Sequence, residues 1–213
     1  MNGKKLPSVT SIIDRTDALF NPSKEAGLEW WRNKEKDHRQ IVEEACRRGS
    51  IIHSEIELAL TGKQSAEYSM DEWNDFYICD YMTQLLPVVQ EMGEDEVEVE
   101  KVVSHSVGYA GTADLICHYK GKKTIVDWKT TRHSSRVGEK PKKRSHYKGA
   151  EVQIAAYGSA YNSDPRNAPV EQGAIVVVYD WREPDIILLD NDDLIMRAVE
   201  FQERFDAFQI LEG

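Results

Sequence analysis

Residues 174–179 read Ala-Ile-Val-Val-Val-Tyr, an apolar run with no polar alternation. A strand of that kind is buried on both faces, so the sheet that holds it needs a layer of helix above and below. The rest of the chain supplies those layers. Pro7-Ser8 reads as a helix entry, followed by Val9, Ile12 and Ile13 at helical spacing. Further helical patterns carry Trp30 and Trp31, run from about 37 to 60, and run from about 65 to 90 with Trp73, Phe76, Tyr77 and Tyr81 as an apolar stripe. Val97 and Val99 then alternate with glutamates, and two strands follow near 109–119 and 123–130. A helix at about 150–161, the apolar strand, a short strand at 186–189 and a helix with Leu194, Ala198, Phe201, Phe205 and Phe208 on one stripe close the order. The expectation is an α/β fold, a central mixed β-sheet flanked by helices. A helical N-terminal part (1–95) would pack on an α/β core (96–213), the two forming one compact domain.

Chemistry concentrates on the predicted hairpin. Lys120-Gly121 suits a two-residue type I′ loop, so Tyr119 faces Lys122, and the same register sets Asp114 opposite Asp127; a loop shifted to Gly121-Lys122 would still keep both carboxylates on one face. Directly facing Cβ atoms lie about 4.5–5.5 Å apart. Two carboxylates that close do not both ionise comfortably unless one is protonated or a cation sits between them. Period two puts Lys129 on the face of Asp127. The competing reading is a surface salt-bridge cluster, but Asp127 sits within the apolar run Ile125-Val126-Asp127-Trp128, where an unpaired charge is costly. Gly49, His53 and Glu57 fall at i, i+4, i+8 on one helical stripe, beside Ile52, Ile56 and Leu60. His53 is there either a metal ligand or a satisfied core histidine, with Gly49 allowing close approach. Gln153 and Tyr157 are again i, i+4.

Taken in order, Gly49-x-x-x-His53, Glu100, Gly111-Thr-Ala-Asp114, Asp127-Trp-Lys129 and Gln153-x-x-x-Tyr157 resemble the PD-(D/E)XK nuclease superfamily, in its RecB-type branch. Leu6-Pro-Ser-Val-Thr-Ser-Ile12 and the 174–179 strand are similar to mitochondrial exonucleases of that kind, so the resemblance runs from about residue 6 to 205. It implies a restriction-endonuclease-like fold and a DNA exonuclease dependent on one or two Mg²⁺ or Mn²⁺ ions. The preferred substrate would be single-stranded DNA with free ends, in replication, recombination or repair. Asp114 and Asp127 would bind metal with His53 and the Trp128 carbonyl. Lys129 would be the catalytic lysine, Glu100 the acid of the first strand, and Gln153 and Tyr157 the supporting helix motif. Ala113 stands where the superfamily name has Pro, and no iron–sulfur cluster is expected. An endonuclease of the same fold and a non-catalytic DNA-binding protein are the alternatives.

Charge and cysteine content bound the setting. The three cysteines are scattered, which suggests reduced, mostly buried thiols rather than a disulfide framework. No apolar run approaches the ~20 residues of a bilayer span, and Met1–Ser8 resembles neither a signal nor a transit peptide. The expected location is the cytoplasm of a bacterium or of a phage-infected cell. The net charge is −10, poor for a passive nucleic-acid binder. One strip departs from this: Arg132, Arg136, Lys140, Lys142, Lys143, Arg144 and Lys148 oppose only Glu139, so the segment is +6. It begins three residues after Lys129 and reads either as a DNA-backbone grip or as a solvated loop. Neutralising Lys142, Lys143 and Arg144 together should lower the salt slope of DNA binding by roughly two to three counterions. An unchanged slope returns the strip to the solvated-loop reading.

Overall fold

The computed structural model describes residues 6–131 and 147–213, so Arg132, Arg136, Lys140, Lys142, Lys143 and Arg144 lie outside the described residues. Seven helices and five strands occur among the described residues, in the order α1 (Val9–Phe20), α2 (Pro22–Lys34), α3 (His38–Thr61), α4 (Met70–Asp75), α5 (Ile78–Met92), β1 (Glu98–His105), β2 (Tyr109–Tyr119), β3 (Lys122–Thr130), α6 (Lys148–Asn162), β4 (Gln172–Val178), β5 (Asp185–Leu189) and α7 (Asn191–Glu212). The strands form one mixed sheet in sequence order. β1, β2 and β3 run antiparallel, β3 and β4 parallel, and β4 and β5 antiparallel. α6 makes the crossover that the parallel pair requires.

Every residue of β4 is buried. Ile175 and Val177 face a core built with α1, α6 and α7, through Ile12, Ile154, Phe201 and Phe205. Ala174, Val176 and Val178 face a second core with α3 and α5, through Ile52, Ile56, Tyr81 and Leu85. The two helical layers demanded by the apolar run are thus present. Ser8 caps α1 by accepting from the Ser11 amide at 3.0 Å. Buried Arg204 ties α7 to α1, 3.5 Å from Asp17, with its guanidinium over the Phe20 ring.

Three expectations need correction. The long helix at 65–90 is two helices, because Tyr77 adopts a left-handed backbone (φ 55°) that no continuous helix tolerates. The aromatic stripe hid this break, since Tyr68 stacks on Trp73 ahead of it and Tyr81 is buried after it. Of the three thiols only Cys117 is buried; Cys46 and Cys79 are exposed. Gly49 is not sterically required, since a Cβ there would meet Thr130 Oγ1 at an ordinary 3.6 Å.

The feature that shapes the rest is a fork. The β2–β3 turn has Lys120 at φ 51° and Gly121 at φ 78°, as a type I′ loop requires, and Tyr119 pairs with Lys122. Pairing runs back to Leu115–Val126 and stops one step short of Asp114 and Asp127. Beyond that point β3 stays with β4 as far as Thr130–Val178, while β2 leaves with β1. β1 and β2 also turn over together. Ala113 and Val103 face the α6 core, whereas Leu115 and Val99 face the α3 core, although each pair has the same parity. Glu100 and Asp114 occupy the crossing, bracketed by Val99–Leu115 and Lys101–Ala113, and Glu100 takes a left-handed φ of 49°. Past the fork, Thr131 is pinned: its amide and hydroxyl both donate to Val178 O, at 3.0 and 2.9 Å, and its carbonyl accepts from Tyr81 at 2.7 Å.

Gly111 lets α6 close over the departing strand. A Cβ there would lie 2.3 Å from the buried Tyr157 ring. Gly111→Ala should therefore cost about 1–3 kcal/mol as overpacking, measured by denaturant unfolding. A variant as stable as the parent would contradict this packing.

Candidate active site

The gap of the fork is filled by side chains. Asp114 Oδ2 accepts from the Trp128 amide at 2.9 Å, so a carboxylate takes the place of the missing backbone partner. Asp114 therefore turns to the β3 backbone and does not stand square against Asp127, although the strands keep the expected register. From the α3 side, His53 brings Nε2 to 3.2 Å from Trp128 O and Nδ1 to 3.8 Å from Asp114 Oδ2. His53, Glu100 and Asp114 each offer one ligand atom, and these atoms lie within 4.8 Å of one another.

Asp127 occupies the other side of the gap, facing α6. It is 1% exposed. Its Oδ1 accepts from Lys129 Nζ at 3.0 Å and from Gln153 Nε2 at 3.0 Å. Its Oδ2 touches the ammonium at 2.9 Å yet accepts no well-directed hydrogen bond. Gln153 Oε1 accepts from Lys129 at 3.3 Å, and its amide donates to the Tyr157 hydroxyl at 3.2 Å. Gln153 and Tyr157, one helical turn apart, thus hold the Asp127–Lys129 pair from above.

Electrostatics explain what this cluster wants. Burial pushes the Asp127 carboxyl up to about 6, Lys129 opposes the shift and Asp114 adds to it. Burial works against the Lys129 charge, but Asp127 outweighs it and holds the ammonium above its ordinary pKa. Desolvation raises Glu100, with Asp114 and Glu57 adding to the shift. Burial and the Asp127 charge raise the Tyr157 hydroxyl, keeping it a neutral donor.

Glu57 joins the site, and Arg48 is buried elsewhere on the same helix, neither having been singled out as a site residue. Glu57, one turn beyond His53, repels Glu100 and leaves a buried Oε2 without a hydrogen bond. Its i, i+4 spacing from His53 was the available signal. Arg48 is 7% exposed, its guanidinium lies 5.9 Å from the Tyr81 ring, and among the described residues no carboxylate pairs with it. Nothing in the sequence separates it from Arg47, which instead pairs with Glu72 at 2.6 Å. Lys148, the one described member of the basic strip, is exposed at the start of α6.

The donor set fits a divalent cation. Four carboxylates, Glu57, Glu100, Asp114 and Asp127, converge with one imidazole against one ammonium, and two of their buried oxygens are unsatisfied. Oxygen donors with a single nitrogen suit hard to borderline ions.

Comparison with known proteins follows the same line. The chain resembles mitochondrial genome maintenance exonuclease 1. The mouse protein is 26% identical over 183 residues, 82% of this chain and 50% of that one. The Xenopus tropicalis protein is 28% identical over 185 residues, and the human one 24% over 183. The chain spans about half the length of these relatives, 50%, 48% and 49%. A candidate exonuclease from Eubacterium rectale superposes with a TM-score of 0.49 at 16% identity, over 79% of this chain and 66% of that one. A phage-related exonuclease from Haemophilus somnus 129PT gives 0.36 at 13%, over 77% and 83%. No family model matches the chain. The mixed five-stranded sheet with helices on both faces is the α/β architecture expected from the sequence, and the exonuclease-named relatives are consistent with the PD-(D/E)XK-like resemblance. Among the described residues no helix is long and apolar enough to cross a membrane.

The two aspartates should respond differently to amidation. Asparagine at 114 can still accept from Trp128 while relieving repulsion, so Asp114→Asn should melt no lower than the parent in chelator. It should lose the stabilisation that added Mn²⁺ gives. Asp127→Asn strips Lys129 of its counter-charge and should melt lower in chelator. Equal melting temperatures for both variants, with the Mn²⁺ shift intact, would overturn this division of roles.

Proposed function

We propose that the chain is a divalent-metal-dependent DNA exonuclease. The observation that carries this reading is the juxtaposition of a donor group, His53, Glu100 and Asp114, with a buried Asp127–Lys129 pair clamped by Gln153. The cation would be Mg²⁺ or Mn²⁺, as one or two ions, held by His53, Asp114, Asp127 and the Trp128 carbonyl, with Glu100 completing the set. When bound, it supplies Lewis acidity to the scissile phosphodiester and to the attacking water.

The chain's own residues supply positioning. Lys129 has three N–H donors. Asp127 and Gln153 take two of them, which leaves the third to hold an attacking water or a phosphate oxygen. Because Asp127 keeps Lys129 charged, the ammonium also opposes the negative charge that builds on the phosphate during in-line attack. Tyr157 fixes the Gln153 amide and so the direction of the clamp. His53, by bonding Trp128 O, holds that carbonyl toward the α3 side of the gap. The basic strip from Arg132 to Lys148 would follow the DNA backbone, and single strands with free ends would be the preferred substrate, in replication, recombination or repair. A cytoplasmic setting in a bacterium or phage-infected cell accords with this role.

End-labelled linear and circular DNA, single- and double-stranded, should be digested with Mg²⁺ or Mn²⁺. Loss of linear single strands, survival of circles and no turnover in chelator are expected. Cutting of circles would make the chain an endonuclease. Lys129→Ala should reduce turnover by at least about 10²-fold, while Mn²⁺ and DNA binding persist. Full activity in that variant would remove Lys129 from the mechanism.

A further inference from the structure

Helix α2 (Pro22–Lys34) has no buried residue, yet it carries two adjacent tryptophans. Trp31 meets the His38 ring edge-on, at 6.1 Å between centroids, and so ties α2 to the start of α3. Trp30 serves no such purpose. It is 63% exposed, and among the described residues its one ring contact is its own helix's Lys34, whose ammonium lies 4.8 Å from the ring centroid. An indole left in water forgoes the burial that a core position would have gained.

The surroundings of Trp30 select what would cover it. Its neighbours three and four positions away are Ala26, Gly27, Asn33 and Lys34, so no carboxylate shares its stripe. A Cβ at Gly27 would meet nothing within 4 Å, which leaves the approach to the ring open on that side. Arg32 and Glu25 are occupied with each other at 3.0 Å. Residues 22–39 carry five basic and four acidic side chains, a net +1 on a chain of net −10. An open aromatic face flanked by an ammonium and shielded from carboxylates matches an unpaired base with its phosphate. Bases in a duplex are already covered on both faces.

The position is equally specific. α3 runs from His38, beside Trp31, to His53 in the gap. Those fifteen residues, counted from the numbering, cover about 22 Å at 1.5 Å each. A strand stacked at the duplex rise of ~3.4 Å per nucleotide would span this in roughly six nucleotides, and an extended single strand in fewer.

We propose that Trp30, with Lys34, is a stacking site for an unpaired base of single-stranded DNA, no more than about six nucleotides from the scissile bond. The inference rests on the nuclease reading and assigns that site a second anchor for its substrate. Such a residue favours single strands over duplex and long strands over short ones.

The test uses the Lys129→Ala protein with Mn²⁺, which holds DNA without cutting it. Binding of oligo(dT) of about 4 and about 16 nucleotides, lengths on either side of the spacing above, is followed by fluorescence anisotropy and by indole quenching. Adding Trp30→Ala should weaken the longer oligonucleotide by roughly five- to hundredfold. The short one and the melting temperature should not change, and Trp30→Phe should recover most of the loss. Equal affinity for the long strand with and without Trp30 overturns the stacking site, and the indole then serves another partner. Failure of the Lys129→Ala protein itself to bind either strand would instead overturn the nuclease reading.

Discussion

One hydrogen bond organises this molecule: the Trp128 amide donating to the Asp114 carboxylate. In an uninterrupted antiparallel ladder that donor would meet a backbone carbonyl of β2. A side chain that accepts in its place lets β2 peel away without leaving an orphaned amide, whose desolvation would cost about 1–3 kcal/mol. Everything distinctive about the site follows from the resulting gap. Glu100 enters it because β1 must turn over with β2, at the expense of a left-handed backbone of φ 49°. His53 reaches it from α3, and Gln153 and Tyr157 from α6. A closed sheet would have kept these two helical layers apart.

The gap also concentrates charge of one sign. In the absence of a cation the carboxylates raise one another, and among the described residues Lys129 is the positive side chain in contact with them. The arrangement is under tension as a fold and prepared as a site. The non-glycine positive φ at Glu100 has the same character. Such conformations cost of order 1–3 kcal/mol and persist where surrounding structure over-determines them.

Much of this was legible from residues alone. Of the two loops the hairpin sequence allowed, the Lys120-Gly121 one, with Gly second as a type I′ turn prefers, is the one formed, and the apolar run at 174–179 required the two helical layers. What escaped were departures from periodicity. Alternation of Val97 and Val99 with glutamates looks like an unbroken strand, and nothing in it marks Glu100 as the point where facing reverses. The aromatic stripe of 73–81 runs across a break at Tyr77, since packing of rings does not depend on one continuous helix. Register likewise put Asp114 opposite Asp127, but could not foresee that Asp114 would bend to an amide instead. The motif order named residues that the fold brings together, and the i, i+4 spacing of Glu57 from His53 was visible too, whereas nothing in the residues alone separated buried Arg48 from Arg47.

The triple fastening of Thr131 has a mechanical consequence. Its amide, hydroxyl and carbonyl are each tied to β4 or α5, two residues after Lys129. It works as a strain relief does on a cable. A pull on the chain beyond Thr131 ends at this knot, and the ammonium two residues upstream keeps its place.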